Sequence, residues 1–199
     1  GDPLGGLYLG TVRRLLYLHP LLGLEELTDR SGLVSLGLSD IMVDREGSVW
    51  IANYRGTSKL ASRHLRSYGT ADGLRKEEVS AVLQRADGSI VLGHEGGLSF
   101  PGTHTTALPL TGPGKEWSRA MDLHEHPAGV LWAAMDRSGL ARLDPDGAVT
   151  WAGEADGLEG PVYAVVHDRD GRLWAGTSEG LYRREGRRFE RIHLHDRGQ

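Results

Sequence analysis

The sequence predicts an all-β fold built from repeats, because one glycine turn motif recurs through its 199 residues at a nearly constant spacing. Three residues after each turn glycine stands a tryptophan or another apolar residue. The four copies are Gly47 with Trp50, Gly88 with Val91, Gly129 with Trp132, and Gly171 with Trp174. Successive glycines are 41, 41 and 42 residues apart. One step further back, Tyr8 occupies the tryptophan slot.

Two more landmarks keep the same phase. A Gly-Leu pair or its equivalent recurs at 14–15, 56–57, 97–98, 139–140 and 180–181. An Asp-Gly-Leu type turn recurs at 30–33, 72–74 and 156–158, with a degenerate copy near 112–114 and another at 196–198. Between these turns lie short β-rich runs such as 162–166, and tight glycine turns suit hairpins. Four short strands in about 41 residues are typical of a propeller blade.

We therefore predict a β-propeller of four-stranded antiparallel blades, with repeats at about 1–33, 34–74, 75–116, 117–158 and 159–199. The first repeat opens after the point where its inner strand would stand, which gives about 4.75 blades. A closed ring pairs strands from both termini, since an open sheet edge invites mispairing. We expect an excerpt of a larger propeller, with a complete five-blade ring as the minority alternative. The slot residues Tyr8, Trp50, Val91, Trp132 and Trp174 are expected to pack between adjacent blades.

Composition excludes several classes of protein. Hydrophobic residues make up 39%, enough for a core, and the formal net charge of −4 argues against a basic nucleic-acid-binding face. Without cysteine there are no disulfides, zinc–thiolate sites, iron–sulfur clusters or thiol catalysis. No apolar run approaches the roughly 20 residues that cross a bilayer. We expect no membrane segment in this chain and no nucleic-acid partner.

Residues 162–183 (VYAVVHDRDGRLWAGTSEGLYR) resemble the two-component regulator propeller repeat, as do 40–52 and 69–74. The resemblance covers the whole chain, most strongly around Trp50 and Trp174 and most weakly at 99–116. It implies a periplasmic sensor region of a bacterial signalling protein, in a ring of about seven blades. The parent would continue into a transmembrane helix and a histidine kinase or diguanylate cyclase, and would form a homodimer. Several members sense oligosaccharides, so the resemblance implies a small-molecule or oligosaccharide ligand and no enzyme activity or cofactor in this segment.

Ligand contacts are expected on the face that carries the second-to-third-strand loops and the blade connections. Tyr54 and Trp117 offer stacking surfaces for a sugar ring or another planar group. The polar candidates on the same loops are Asn53, Arg55, His94, Glu95, Asp136, Arg137 and Glu179. A plain polar rim is the alternative for each of these residues.

Metal binding has weak support. His124 with His126, and His193 with His195, have the spacing that puts two rings on one strand face, but no further ligands recur beside them. The carboxylates from Asp168 to Glu179 do not form a calcium loop, because Leu173 stands where an EF-hand needs glycine. We predict no metal site.

Two other functions stay open. A propeller lyase of the streptogramin-cleaving type has a similar repeat length, although that family favours aromatic and glutamate residues after the turn tryptophan. A protein-interaction scaffold without a small ligand is the third alternative.

Overall fold

The computed structural model describes residues 6–11, 14–19, 23–27, 37–61, 64–102, 105–112 and 117–193. The predicted turns at 30–33 and 196–198, and His195, lie outside them. The regular elements in the described part are β-strands and two short 3-10 turns at Thr70–Asp72 and Glu154–Asp156. The chain divides into two compact units, Gly1–Pro109 and Leu110–Gln199.

The first unit contains one three-stranded and two four-stranded antiparallel sheets, each a simple meander. The three-stranded sheet is β1 (Leu7–Gly10), β2 (Leu15–His19) and β3 (Gly23–Leu27). The second is β4 (Leu38–Val43), β5 (Val49–Asn53), β6 (Gly56–Ala61) and β7 (His64–Tyr68). The third is β8 (Ala81–Gln84), β9 (Ile90–His94), β10 (Gly97–Phe100) and β11 (Thr106–Pro109).

The second unit repeats the four-stranded meander twice. One sheet is β12 (Ala120–Glu125), β13 (Leu131–Met135), β14 (Gly139–Leu143) and β15 (Val149–Ala152). The other is β16 (Val162–His167), β17 (Leu173–Thr177), β18 (Gly180–Glu185) and β19 (Arg188–Arg191). The predicted four-stranded, all-β repeat is confirmed, and β1–β3 lack a fourth strand among the described residues.

Each unit has a core between its neighbouring sheets. In the first unit, Trp50 of β5 packs with Leu74 and Val79 of the connection and with Ile90 of β9. In the second, Trp132 of β13 packs with Val165 of β16, Leu173 of β17 and other buried residues of the next sheet. The other slot residues differ in burial: Val91 is buried, while Trp174 and Tyr8 are half-buried. Tyr8 stacks on Tyr17 with ring centroids 4.5 Å apart.

A carboxylate fixes the turn that precedes each of two tryptophans. Asp44 Oδ1 accepts a hydrogen bond from the Ser48 amide at 2.7 Å, and Oδ2 accepts one from the Trp50 indole at 2.9 Å. Asp168 does the same for the Arg172 amide and the Trp174 indole, both at 2.9 Å. Gly47 and Gly171 complete these turns at positive φ. One side chain therefore sets both the turn and the direction of the indole.

The turn before Trp132 reaches the same result without an aspartate. The His126 carbonyl accepts the Trp132 indole N–H at 3.0 Å, and Glu125 Oε1 accepts the Gly129 amide at 2.8 Å. In the copy with Val91 there is no indole to orient, and Asp87 caps only the Ser89 amide and hydroxyl.

A second kind of link joins neighbouring sheets within each unit. The inner strands β4 and β12 carry Asp40 and Asp122 just after a register shift in their pairing. Asp40 Oδ2 accepts the Val82 amide of β8 at 3.0 Å, and Asp122 Oδ2 accepts the Val165 amide of β16 at 2.8 Å. These bonds satisfy edge-strand N–H groups that would otherwise lack a partner.

We predict that Asp44→Asn destabilises the protein by roughly 1–3 kcal/mol. The asparagine side chain has one acceptor oxygen, whereas the Ser48 backbone N–H and the Trp50 indole N–H each need an acceptor. Burial would raise the pKa of Asp44, but hydrogen bonds from Trp50 and Ser48 together with Lys59 lower it. The stabilisation by this carboxylate is therefore present above the usual aspartate pKa and is lost as the pH falls through the lowered value. Urea unfolding at pH 7 measures the first effect, and its comparison with unfolding at about pH 3, below the usual aspartate pKa, measures the second.

Asp87→Asn is the matched control, since Asp87 lies in the turn without an indole and its Oδ1 alone accepts both bonds. We expect it to change stability by less than about 0.5 kcal/mol. Equal losses in the two variants would contradict the assigned role of Asp44.

Candidate functional site

The second unit contains a cavity of about 430 Å³ at the ends of its strands. One wall is the turn from β13 to β14, with Asp136, Arg137 and Ser138. The rest of the lining comes from the end of β15, the 3-10 turn and the connection into β16. The lining residues there are Trp151, Ala152, Gly153, Glu154, Ala155, Asp156, Leu158, Gly160 and Pro161. The second-to-third-strand loop and the sheet connection thus meet at one cavity, where ligands typically bind.

The turn from β13 to β14 is fixed by the segment that precedes β12. Asp136 Oδ1 accepts hydrogen bonds from the Arg119 amide at 2.8 Å and from the Ser118 hydroxyl at 3.2 Å. Ser118 Oγ in turn accepts the Arg137 amide at 3.1 Å. The Asp136 amide donates to the Arg119 carbonyl at 3.0 Å. Asp136 therefore shapes the loop, while the exposed Arg137 side chain is presented at the cavity.

Glycines allow the backbone beside the cavity to pack closely against neighbouring side chains. A Cβ atom at Gly112 would lie 2.3 Å from Ser138 Cβ and 3.1 Å from the Trp151 ring, so this backbone packs against both side chains. Gly160 has φ +77° and lies against Ser178 and Glu179. The 3-10 turn is closed by Asp156, whose Oδ2 accepts the Gly153 amide at 3.0 Å. The indole of Trp151 is thereby placed beside a polar, glycine-lined wall.

The chemistry of this cavity suits binding. Trp151 offers a half-buried aromatic face, Arg137 a cation, and Glu154 an exposed carboxylate. An aromatic surface with a few placed polar groups is the usual composition of a small-molecule site. Among the described residues, no three histidine, cysteine, aspartate or glutamate side chains come together as metal ligands.

The structure places four predicted ligand residues in the second unit. Asp136 and Arg137 line the cavity. Trp117 is 59% exposed and precedes Ser118, which binds the Asp136 loop. Glu179 adjoins the cavity wall through Gly160.

The other five predicted residues lie in the first unit. Asn53 and His94 are completely buried, so neither presents a surface to a ligand in this conformation. Asn53 Oδ1 accepts the Arg55 amide at 2.8 Å, and His94 Nδ1 is 2.7 Å from the Glu78 carbonyl. Burial lowers the pKa of His94 and favours its neutral form. Tyr54 is 53% exposed beside Gly37, Arg55 is exposed, and Glu95 is half-buried.

The sequence prediction missed Trp151, Ser138 and Gly160. The 41–42-residue period places Trp151 near Tyr68, but strand pairing sets them one position apart: Trp151 pairs with Ala141, two residues after Gly139, whereas Tyr68 pairs with Thr57, one residue after Gly56. Neighbouring residues of a strand face opposite sides, so Tyr68 stacks on Trp50 with ring centroids 5.8 Å apart while Trp151 lines the cavity. The tryptophan of the Trp-Ala-Gly-Glu-Ala-Asp-Gly sequence at 151–157 was the available signal.

Comparison with known proteins agrees with this architecture. Residues 156–179 match the family described as the two component regulator propeller. No curated protein sequence matches the chain significantly.

Solved structures show the fold. The extracellular domain of the hybrid two component system BT4673 from B. thetaiotaomicron matches with a TM-score of 0.76 at 18% identity, over 97% of this chain and 27% of that chain. The corresponding domain of BT3049 matches with 0.67 at 18% identity, over 92% and 27%. Virginiamycin B lyase from Staphylococcus aureus matches with 0.72 at 12% identity, over 97% and 68%.

These likenesses assign the fold as that of a β-propeller, and the sheets as its blades. The chain spans about a quarter, 27%, of the length of the BT4673 and BT3049 chains. The lyase match means that the fold alone does not separate a sensor from an enzyme. No helix among the described residues has the length and apolar character needed to cross a membrane.

We predict that Ser118→Ala loosens the Asp136–Arg137 turn and lowers stability by about 1–2 kcal/mol, because two hydrogen bonds to a buried hydroxyl are lost. Thermal unfolding measures the change. Ser138→Ala is the matched control on the same turn, since the Ser138 hydroxyl is buried without a hydrogen-bond partner. We expect that variant to keep or slightly raise the melting temperature, and the reverse order would contradict the assigned contacts.

Proposed function

We propose that the chain is the ligand-sensing part of an extracytoplasmic β-propeller in a bacterial signal-transduction protein. The two component regulator propeller match at 156–179 and the fold likeness to extracellular domains of two component systems support this proposal. The observation that carries the binding function is the cavity in the second unit, which is lined by Trp151 and Arg137. The output domain, a histidine kinase or a diguanylate cyclase, lies outside this chain.

The proposed ligand is a small molecule with a flat, polar ring, such as one unit of an oligosaccharide. Its apolar face stacks on Trp151, and its hydroxyl groups bond to Arg137, Glu154 and the glycine backbone. Cavity size supports this ligand class, since about 430 Å³ lies within the usual range for small-molecule sites. Trp117 extends the aromatic surface beyond the cavity for a longer ligand.

The proposed mechanism is a shift in population between two arrangements of the parent homodimer. Ligand that binds one arrangement more tightly favours it, and the transmembrane helices of the parent carry the difference to the output domain. The stiff strands of the blades make the propeller suited to this role, because loops change while the frame does not.

A lyase activity is the second candidate, favoured by the match to virginiamycin B lyase over 97% of this chain. A metal-dependent turnover assay with a streptogramin B substrate separates the two proposals. Turnover above background would favour the lyase, and binding of a sugar without turnover would favour the sensor. A scaffold without a small ligand would show neither.

We predict that Trp151→Leu and Arg137→Gln each weaken binding of a carbohydrate probe at least about tenfold, since each loses a placed contact. A thermal-shift screen of the chain against neutral and acidic oligosaccharides identifies the probe, and isothermal titration then compares the variants.

Tyr54→Leu in the first unit is the matched control and should leave the affinity unchanged. If Tyr54→Leu weakens binding while Trp151→Leu does not, the ligand binds in the first unit and the proposed cavity is wrong. No binding by any oligosaccharide would reject the sugar class.

A further inference from the structure

Three histidines meet at the end of the second unit opposite the cavity. His124 lies one residue before the end of β12, and His126 follows that strand directly. His167 is the last residue of β16 in the next sheet. The ring centroids of His126 and His167 are 4.3 Å apart, those of His124 and His167 are 5.2 Å apart, and those of His124 and His126 are 6.5 Å apart. The Trp132 ring lies 5.9 Å from His167. The sequence alone places only His124 and His126 together, through their spacing on one strand.

One hydrogen bond in this cluster requires a neutral imidazole. The His167 amide donates to His124 Nε2 at 3.2 Å. Nε2 can accept that bond only with its lone pair free, so a protonated His124 would face the amide N–H with an N–H of its own. Together with the bond from the Val165 amide to Asp122, this contact joins β12 to the edge of β16. Protonation of His124 would therefore remove one of these two hydrogen bonds between β12 and β16.

The surroundings also disfavour positive charge on the rings. Burial and the neighbouring His126 lower the pKa of His124, against the opposing effect of Asp122 and Glu125 on β12. Burial, His126 and His124 lower the pKa of His167 to about 4, with Asp168 opposing and Arg184 of β18 contributing. Arg184 lies over the Trp132 ring at 5.6 Å, which brings a fixed cation to the cluster. His167 Nδ1 is buried without a hydrogen-bond partner, so a proton there would find no acceptor.

In the first unit, the contact between β4 and β8 corresponds to the contact between β12 and β16, but these two strands contain no histidine. Strand pairing places Met42 in β4 at the position of His124 and Gln84 in β8 at the position of His167. Asp44 stands where His126 stands, and Asp40 keeps the bond to the next sheet. The contact between neighbouring inner strands therefore does not require histidines.

We propose that His124, His126 and His167 form an acid-responsive latch, which holds β12–β15 and β16–β19 together at neutral pH and weakens their contact when the imidazoles are protonated. This inference is independent of the ligand. The unfolded chain binds protons on His124 and His167 near pH 6.5, whereas the folded chain does so only at lower pH. Between about pH 6.5 and pH 4 the unfolded state binds more protons, so stability falls as the pH falls.

The test compares the 199-residue chain with the double variant His124→Met, His167→Gln, which carries the residues of the first unit at the latch. We expect the melting temperature of the wild type to fall by about 5 °C more than that of the double variant between pH 7 and pH 5. His193→Gln, outside the cluster, is the control and should behave as the wild type. Equal pH dependence in the wild type and the double variant would overturn the proposal.

Two measurements keep the test decisive if the double variant does not fold. Hydrogen exchange on the wild type should show that the His167 amide loses protection between pH 7 and pH 5, while the Val82 amide of the first unit stays protected. NMR titration of the single variant His126→Asp should show His167 titrating at higher pH than in the wild type, because a carboxylate in place of the imidazole favours the protonated form of His167. Ordinary titration of His124 and His167 near pH 6.5 in the wild type, with the His167 amide still protected at pH 5, would reject the latch.

Discussion

The contact between a turn carboxylate and an indole N–H is the interaction on which two of the sheets, β4–β7 and β16–β19, depend. Asp44 holds the turn from β4 to β5 and, with its second oxygen, the ring of Trp50. The ring then fills the space between two sheets, where it packs with Val79 and Ile90 of the next repeat. A strained turn or a rotated indole would open that core, since close-packed interiors have few ways to refill a gap. The hydrogen bonds within the turn therefore determine how the tryptophan packs between neighbouring repeats.

The inner edges of the sheets impose the second constraint. An innermost strand has N–H groups with no strand to pair with, and Asp40 and Asp122 supply acceptors from the neighbouring sheet. Alanine takes the equivalent position in β8 and β16, at Ala81 and Ala164. The carboxylate thus recurs at every second repeat, although the glycine frame recurs at every one. The glycine turns and the contacts between neighbouring inner strands are therefore set by different residues. For this reason histidines can occur at the contact between β12 and β16 while the four-stranded blade is kept.

Those rules decide what the sequence could predict. Turn glycines and slot aromatics follow from backbone conformation and strand period, so the all-β fold and its four-stranded repeats were predictable. The cavity was predictable only in outline, because loop position indicates a face but not the direction of a side chain. Asn53 and His94 end their strands pointing inward, where they bond to the turn and to the connection. Trp151 and Tyr68 are one register position apart, since Trp151 pairs with Ala141 and Tyr68 with Thr57, so they face opposite sides of their strands. The strand register separates these cases, and the sequence period alone does not.

The cavity and the histidine cluster lie at opposite ends of the same strands. Strand β13 runs from Leu131, next to Trp132, to Met135, next to Asp136, and β16 runs from the Pro161 side of the cavity to His167. A strand of five residues spans roughly 16 Å, and the core between the two sheets leaves them little freedom to move independently. The Asp122–Val165 hydrogen bond lies between these two ends and holds the inner strand of one sheet to that of the next.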